Sequence, residues 1–237
     1  QCREAVRTLI RGGADVIKIT ATGGVLSDTA AGVERQFFDD ELESIVEAAH
    51  MMGRQVTAHA HGVTGINAFL EAGGDSIEHG TYLDNDSIRL MRRNGAYLVP
   101  TVLAGVTVAE LAETADFMTD NQRAKSRAVG PQMLEMARRA HDGGVTIAFG
   151  TDSGVSRHGD NAREFELLVE AGLTPMEAIE TATIHASRHV RMDSDIGTIE
   201  TGKYADIVAV DGNPLENISE LRDVDFVMKN GTVYLSE

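Results

Sequence analysis

A single cysteine, Cys2, occurs among the 237 residues, so the sequence has no disulfide framework and no cysteine-built zinc site. That absence suits a reducing compartment, and a cytoplasmic location is the expectation. Basic residues are also scarce, 21 Lys and Arg against 37 Asp and Glu, for a formal net charge of −16. A nucleic acid or an anionic membrane would be repelled at long range, whereas a small neutral or cationic substrate would not. No long apolar run is present. The VTIAF of residues 145–149 is far too short to span a bilayer, and there is no internal repeat or low-complexity stretch. The opening QCREAVRTLI lacks an initiator Met and the basic-then-apolar layout of a signal segment, and it reads as a chain entered in mid-domain. What remains, with 42% hydrophobic residues, is enough for one sizeable α/β core with an appendage.

The pattern along the chain alternates. Residues 4–12 read as a helix and DVIKIT as a strand, and the Gly-rich loop TATGGVLSD leads to a helix over 39–52. Strand RQVTAHA, helix 63–72, strand DSIEHG, helix 86–93 and strand AYLVPT follow, then a long helical insertion over 107–141 and the strand VTIAFGTDSG. Strands alternating with helices indicate a parallel sheet, and runs such as VIKI, QVTA and TIAF suit strands buried on both faces. Lys18, His59, His79, Pro100 and Asp152 all fall at carboxyl ends of successive strands, the face on which barrel enzymes assemble their sites. Five strands are present where a barrel needs eight. Beyond Met192, DIGTIETGKYADIVAVDGNP and DVDFVMKNGTVY read as short strands separated by Gly, Asn and Pro turns, a small β appendage.

HAHG at residues 59–62 is the loudest local signal, because imidazoles two apart on a strand share a face and can converge on one ion. His79 in IEHG and Asp152 in FGTDSG add possible ligands at neighbouring strand ends, although Asp152 alone would read as a turn or cap residue. Lys18 is the fourth polar strand-end residue. Its setting in VIKITATGG suggests a buried stem beside a loop that leaves space above the strand. Burial favours a lysine's neutral amine, which can combine with carbon dioxide to give a carbamate able to bridge two metals. Arg157 and His158, in the polar loop after Asp152, are candidates for binding a substrate carboxylate or carbonyl, with a solvated loop and a helix capped by Asp160 or Asn161 as the competing reading. Glu78 is expected to point to the opposite side of its strand from His79 and to form a salt bridge. His50, His141, His185 and His189 read as structural or surface residues, and Met133 and Met136 as helix packing.

Taken in order, KxxATGGVxS, VTAHAHG, SIEHG, AYLVPT, FGTDSG and the tail GKYADIVAVDGNP resemble the amidohydrolase superfamily, and more narrowly its zinc-dependent carboxypeptidases and Xaa-Pro dipeptidases, close to imidazolonepropionase-like proteins. The resemblance implies a (β/α)8 TIM-barrel with a β-sandwich formed by both chain ends. This chain would supply the five carboxy-terminal βα units in residues 1–191 and part of the sandwich in 192–237. It also implies two zinc ions held by an HxH on the first strand, a carboxylated lysine on the fourth, single histidines on the fifth and sixth, and an aspartate on the eighth. Those positions map to Lys18, His59, His79 and Asp152. HAHG follows the lysine by 41 positions and so belongs to the fifth strand, with His59 the ligand and His61 facing substrate or supporting a ligand from behind. The first-strand HxH has no counterpart in this sequence, so one ion would keep Lys18 and Asp152 and the other Lys18, His59 and His79.

The implied activity is hydrolysis of an amide bond in a dipeptide or N-acyl amino acid by a metal-bridged hydroxide, with Asp152 as the proton carrier. Two alternatives stand beside it: hydrolysis of a cyclic amide of the imidazolonepropionase type, and a non-catalytic truncated module. An open strand edge before Lys18 would also invite association into a homo-oligomer.

Overall fold

The computed structural model describes residues 1–28 and 32–236. Five strands, β1 (Val16–Thr20), β2 (Gln55–Ala60), β3 (Ser76–His79), β4 (Tyr97–Val99) and β5 (Thr146–Ile147), form one parallel sheet in chain order. Helices α1 (Cys2–Arg11), α2 (Asp39–Met51), α3 (Val63–Glu71) and α4 (Asn85–Asn94) alternate with them. The sheet face under the helices carries Ile17, Val56, Ala58, Ile77, Leu98 and Ile147, all nearly or fully buried. Phe69, Leu42, Ile66 and Met91 close the core from the helix side. Local chemistry fixes several boundaries. Asp84 accepts a hydrogen bond from Ser87 N at 2.8 Å to start α4, which ends at Gly95 with φ 66°, a left-handed position that glycine adopts without steric cost.

Strand register decides which side chains face away from the helices. Lys18 lies opposite Thr57, and His59 opposite Glu78, so these four share the face that would line a barrel interior. On β1 this face is open: Val16 is 49% exposed, and Lys18 and Thr20 are exposed. The expectation of strands buried on both faces therefore fails for β1, whose interior face no other described element of this chain covers. Lys18 is accordingly not buried as expected. Glu78 is also corrected: it shares the face of Thr57 and accepts a hydrogen bond from its Oγ1 at 2.7 Å, with no ion pair among the described residues.

Two further expectations change. The insertion is three helices, α5 (Val102–Thr114), α6 (Asp120–Val129) and α7 (Gln132–Asp142). Thr119 caps α6 through reciprocal bonds with Gln122, and Gly130-Pro131 interrupts the path into α7 because proline has no N–H to continue the ladder. The last strand of the sheet is only two residues long. Ala148 N still bonds Leu98 O at 2.9 Å, but Phe149 N turns to Thr181 O at 3.0 Å, and the backbone leaves the ladder.

After α8 (Arg163–Glu170), α9 (Pro175–Glu180), a π-helical turn (Thr181–His185) and α10 (Ala186–His189), a separate antiparallel sheet joins β6 (Ile207–Ala209), β7 (Phe226–Lys229) and β8 (Thr232–Ser236). Asn230 and Gly231, with φ 48° and 77°, make the tight β7–β8 turn that an Asn-Gly pair favours. No helix among the described residues is long and apolar enough to cross a membrane.

Candidate metal centre

Three imidazoles meet at the carboxyl end of the sheet. His59, His61 and His79 each offer a ring nitrogen within 4.8 Å of the others. Ring centroids lie 4.6 Å apart for His59 and His79, 4.7 Å for His59 and His61, and 4.9 Å for the stacked His61 and His79. Strand alternation places His59 in the interior but does not bring His79 there, since its neighbour Glu78 holds the equivalent position. The backbone resolves this: His79 has φ 72°, and the left-handed turn swings the ring back to the cluster. Five non-glycine residues among those described have positive φ, and three of them, His79, Thr101 and Asp152, belong to this end of the sheet. Concentration of costly backbone geometry at one place marks a site whose side chains are held for a purpose.

Hydrogen bonds fix the rings. His61 Nδ1 lies 2.8 Å from Thr81 Oγ1, and that hydroxyl donates to Met133 Sδ at 3.2 Å. Thr81 is thereby left to accept from His61 Nδ1–H, which keeps the lone pair on His61 Nε2. His79 Nδ1 is 2.7 Å from Thr101 Oγ1. The backbone of Gly23 supports His59, whose buried Nε2 has no hydrogen-bond partner among the described residues. Burial lowers the pKa of all three. His61 is held well below the usual histidine range by burial and then by its two histidine neighbours, and His79 is lowered to about 3 by burial, His59 and Lys18. Neutral imidazoles with ring orientation set from behind are what a divalent cation requires of histidine ligands, so the donor set and the orphaned His59 nitrogen fit a metal.

A cavity of about 170 Å³ opens beside these rings. Asp152 lines it with Gly24, Val25, Val108, Val129 and Met133. Lys125 holds the Gly-rich loop over the cavity, donating from Nζ to Gly24 O at 2.9 Å and to Ser27 O. Lys18 sits apart from the lining but close enough to act electrostatically on His59 and His79. Arg157 and His158 are exposed on the loop after β5 and do not line the cavity. That loop is organised instead by Asn161, which donates to Thr151 Oγ1 and Ser153 Oγ at 3.0 and 2.7 Å, and neither Asp160 nor Asn161 caps α8.

Sequence reasoning missed Thr81, Thr101 and Glu164. Glu164 is fully buried and accepts hydrogen bonds from Val102 N at 2.8 Å and Leu103 N at 2.7 Å, pinning the start of α5 directly after Thr101. A glutamate on the core face of a helix was the one available signal. Its partners lie about sixty positions away, and no local pattern names them.

Comparison with known proteins agrees with this geometry. The model of the Amidohydrolase family matches residues 1–234. Ochratoxinase of Aspergillus niger is 38% identical over 239 aligned positions, which cover 99% of this chain and 49% of that protein. Among solved structures, a Xaa-Pro dipeptidase with methionine bound in its active site superposes with a TM-score of 0.96 at 46% identity, covering 99% of this chain and 58% of that one. A prolidase complexed with N-methylphosphonate-L-proline gives 0.91 at 34% identity, covering 99% and 58%. The chain thus spans about half the length of these relatives, and its five βα units are a segment of their barrel. With the family model matched nearly end to end and the histidine cluster at the carboxyl end of a parallel sheet, the chain belongs to the amidohydrolase family.

Proposed function

We propose that this chain carries the carboxy-terminal half of a zinc-dependent hydrolase that cleaves the amide bond of a dipeptide or N-acyl amino acid. The observation that carries the reading is the set of three neutral imidazoles, His59, His61 and His79, beside Asp152 at one cavity. The likeness to a Xaa-Pro dipeptidase and a prolidase supports an amide substrate. Residues 1–191 are assigned to the hydrolase barrel and 192–237 to the β-sandwich, in keeping with the break between the two sheets.

His59, His79, Asp152 and a carbamate on Lys18 are the proposed metal ligands, and His61 is either a third imidazole donor or a substrate contact. Bound zinc supplies Lewis-acid polarisation of the scissile carbonyl and acidifies the attacking water. Asp152 accepts that water's proton on a carboxylate oxygen and delivers it to the departing nitrogen, so one water is consumed and an acid and an amine are released. Arg157 and His158 are assigned to the substrate's carboxylate, which requires their loop to reach over the cavity. A dipeptide and N-acyl amino acid panel tests the reaction, and turnover confined to cyclic amides would replace it with the imidazolonepropionase-type reading.

Two predictions belong here. Metal-loaded protein supplied with carbon-13-labelled bicarbonate is expected to show a carbamate resonance that Lys18→Arg abolishes. A spectrum with no carbamate would remove the bridging role from Lys18. Residues 1–237 expressed alone, which contain no HxH besides His59 and His61, are expected to hold at most one tight zinc ion and to associate through the open edge of β1. Zinc analysis and size-exclusion chromatography, compared with the form extended by its upstream coding sequence, check this. A monomer holding two zinc ions at full activity would refute the ligand assignment.

A further inference from the structure

The cavity has two chemically different sides. One presents the imidazoles and Asp152. The other is built by the helical insertion and the Gly-rich loop: Ala104, Gly105 and Val108 of α5, Val129 of α6, Met133 of α7, and Val25. Among the described residues no side chain on this second wall is charged, and its Val and Met residues are all at most 7% exposed. Packing holds the wall in place, because a Cβ on Gly105 would fall 2.2 Å from Met133 Cγ, so α5 and α7 already meet at contact distance. Lys125 does not line the cavity, and its ammonium donates to the carbonyls of Gly24 and Ser27.

We infer that this wall is the specificity pocket for one apolar side chain of the substrate, and that Val108 and Val129 set the size it accepts. The inference rests on the amide-hydrolase reading and adds to it the class of residue recognised. A carboxylate or ammonium placed against the Val and Met side chains would lose its hydration with no opposite charge there to replace it, and the one hydroxyl nearby, Ser27 Oγ, is already bonded to Gly24. Volume sets the upper bound. A dry apolar cavity of about 150 Å³ holds a benzene molecule, and the volume here is about 170 Å³. The whole cavity, imidazole side included, is thus about the size of one phenyl ring. Met133, read from sequence as helix packing, has a second role as part of this wall.

The test uses the complete polypeptide, zinc-loaded, with dipeptides and N-acetyl amino acids in which each position in turn is Ala, Leu, Met, Phe, Asp or Lys. At one position, Leu, Met or Phe is expected to exceed Asp and Lys in kcat/KM by about 100-fold or more, since even one methylene is worth about 10- to 200-fold in such a pocket. Val108→Phe fills the space and is expected to reduce the Phe-to-Ala preference about tenfold, while Val129→Ala enlarges it and raises that preference by a similar factor. Neither residue touches the bonds that orient the histidines. Equal rates for apolar and charged side chains, or preferences unmoved in both variants, would overturn the inference while leaving the hydrolase reading intact. Calorimetric binding of free L-leucine, L-phenylalanine and L-aspartate to the same proteins separates the opposite case. Apolar binding that weakens in Val108→Phe, with no substrate of the panel cleaved, would support the pocket and refute the reaction.

Discussion

Asp152→Asn is expected to lower turnover by about 10²- to 10⁴-fold or more while zinc per chain stays close to the parent value. The amide offers an oxygen in nearly the same position but cannot accept a proton at working pH. The substitution is also neutral for the backbone, because residue 152 has φ 52° and asparagine tolerates the left-handed region as well as aspartate does. Steady-state kinetics on dipeptides, paired with metal analysis of the same preparation, separates chemistry from assembly. Activity within a few-fold of the parent would place the base elsewhere, and loss of zinc in proportion to activity would make Asp152 a ligand first.

Glu164→Ala is expected to produce the largest stability change, about 3 kcal/mol or more. It strips acceptors from two buried N–H groups at the start of α5, each costing about 1–3 kcal/mol when left unsatisfied. Zinc affinity should fall with it by about 10- to 100-fold, since α5 begins at Val102, next to the Thr101 that orients the His79 ring. Urea unfolding and zinc competition measure the two effects. An unchanged zinc affinity in a folded variant would show that Thr101 holds His79 without help from Glu164.

The same carboxyl makes a pH prediction. Burial raises its pKa from 4.5 to about 7, against the pull of the two N–H bonds. Because the folded value is raised, the folded state binds the proton more tightly than the unfolded chain. The stabilisation is complete below about pH 4.5 and is lost as pH climbs through about 7, with an amplitude of about 3 kcal/mol. The three clustered histidines slope the other way, since their lowered values favour the fold at higher pH. The difference between parent and Glu164→Gln, both metal-free, isolates the glutamate, and a difference that stays flat from pH 4.5 to 8 would mean the N–H bonds offset burial.

Part of this architecture is written locally. Short apolar runs broken by glycine-rich turns place five strands in order, and His59 and His79 fall at the carboxyl ends of theirs, whereas Lys18 lies in the middle of β1 and Asp152 five positions beyond β5. Asn230-Gly231 likewise announces its own turn. A strand's alternation, a cap or a tight turn depends on neighbours a few positions away, so a sequence can be read for them.

Exposure, ring orientation and pocket shape depend on contacts that the chain makes across long separations. Lys18 looks buried in VIKI, yet it is exposed because no other described element of this chain covers the interior face of β1. Alternation alone would turn His79 away from His59, and a left-handed φ at the end of β3 brings it back. His61 joins the cluster through Thr81, twenty positions on, and His79 is oriented by Thr101, twenty-two positions on. Glu164 reaches the start of α5 from sixty-two positions away, and the apolar wall forms only where three helices of the insertion converge with the glycine-rich loop. These are effects of burial and of hydrogen bonds closed by packing, and only the folded chain brings their partners together.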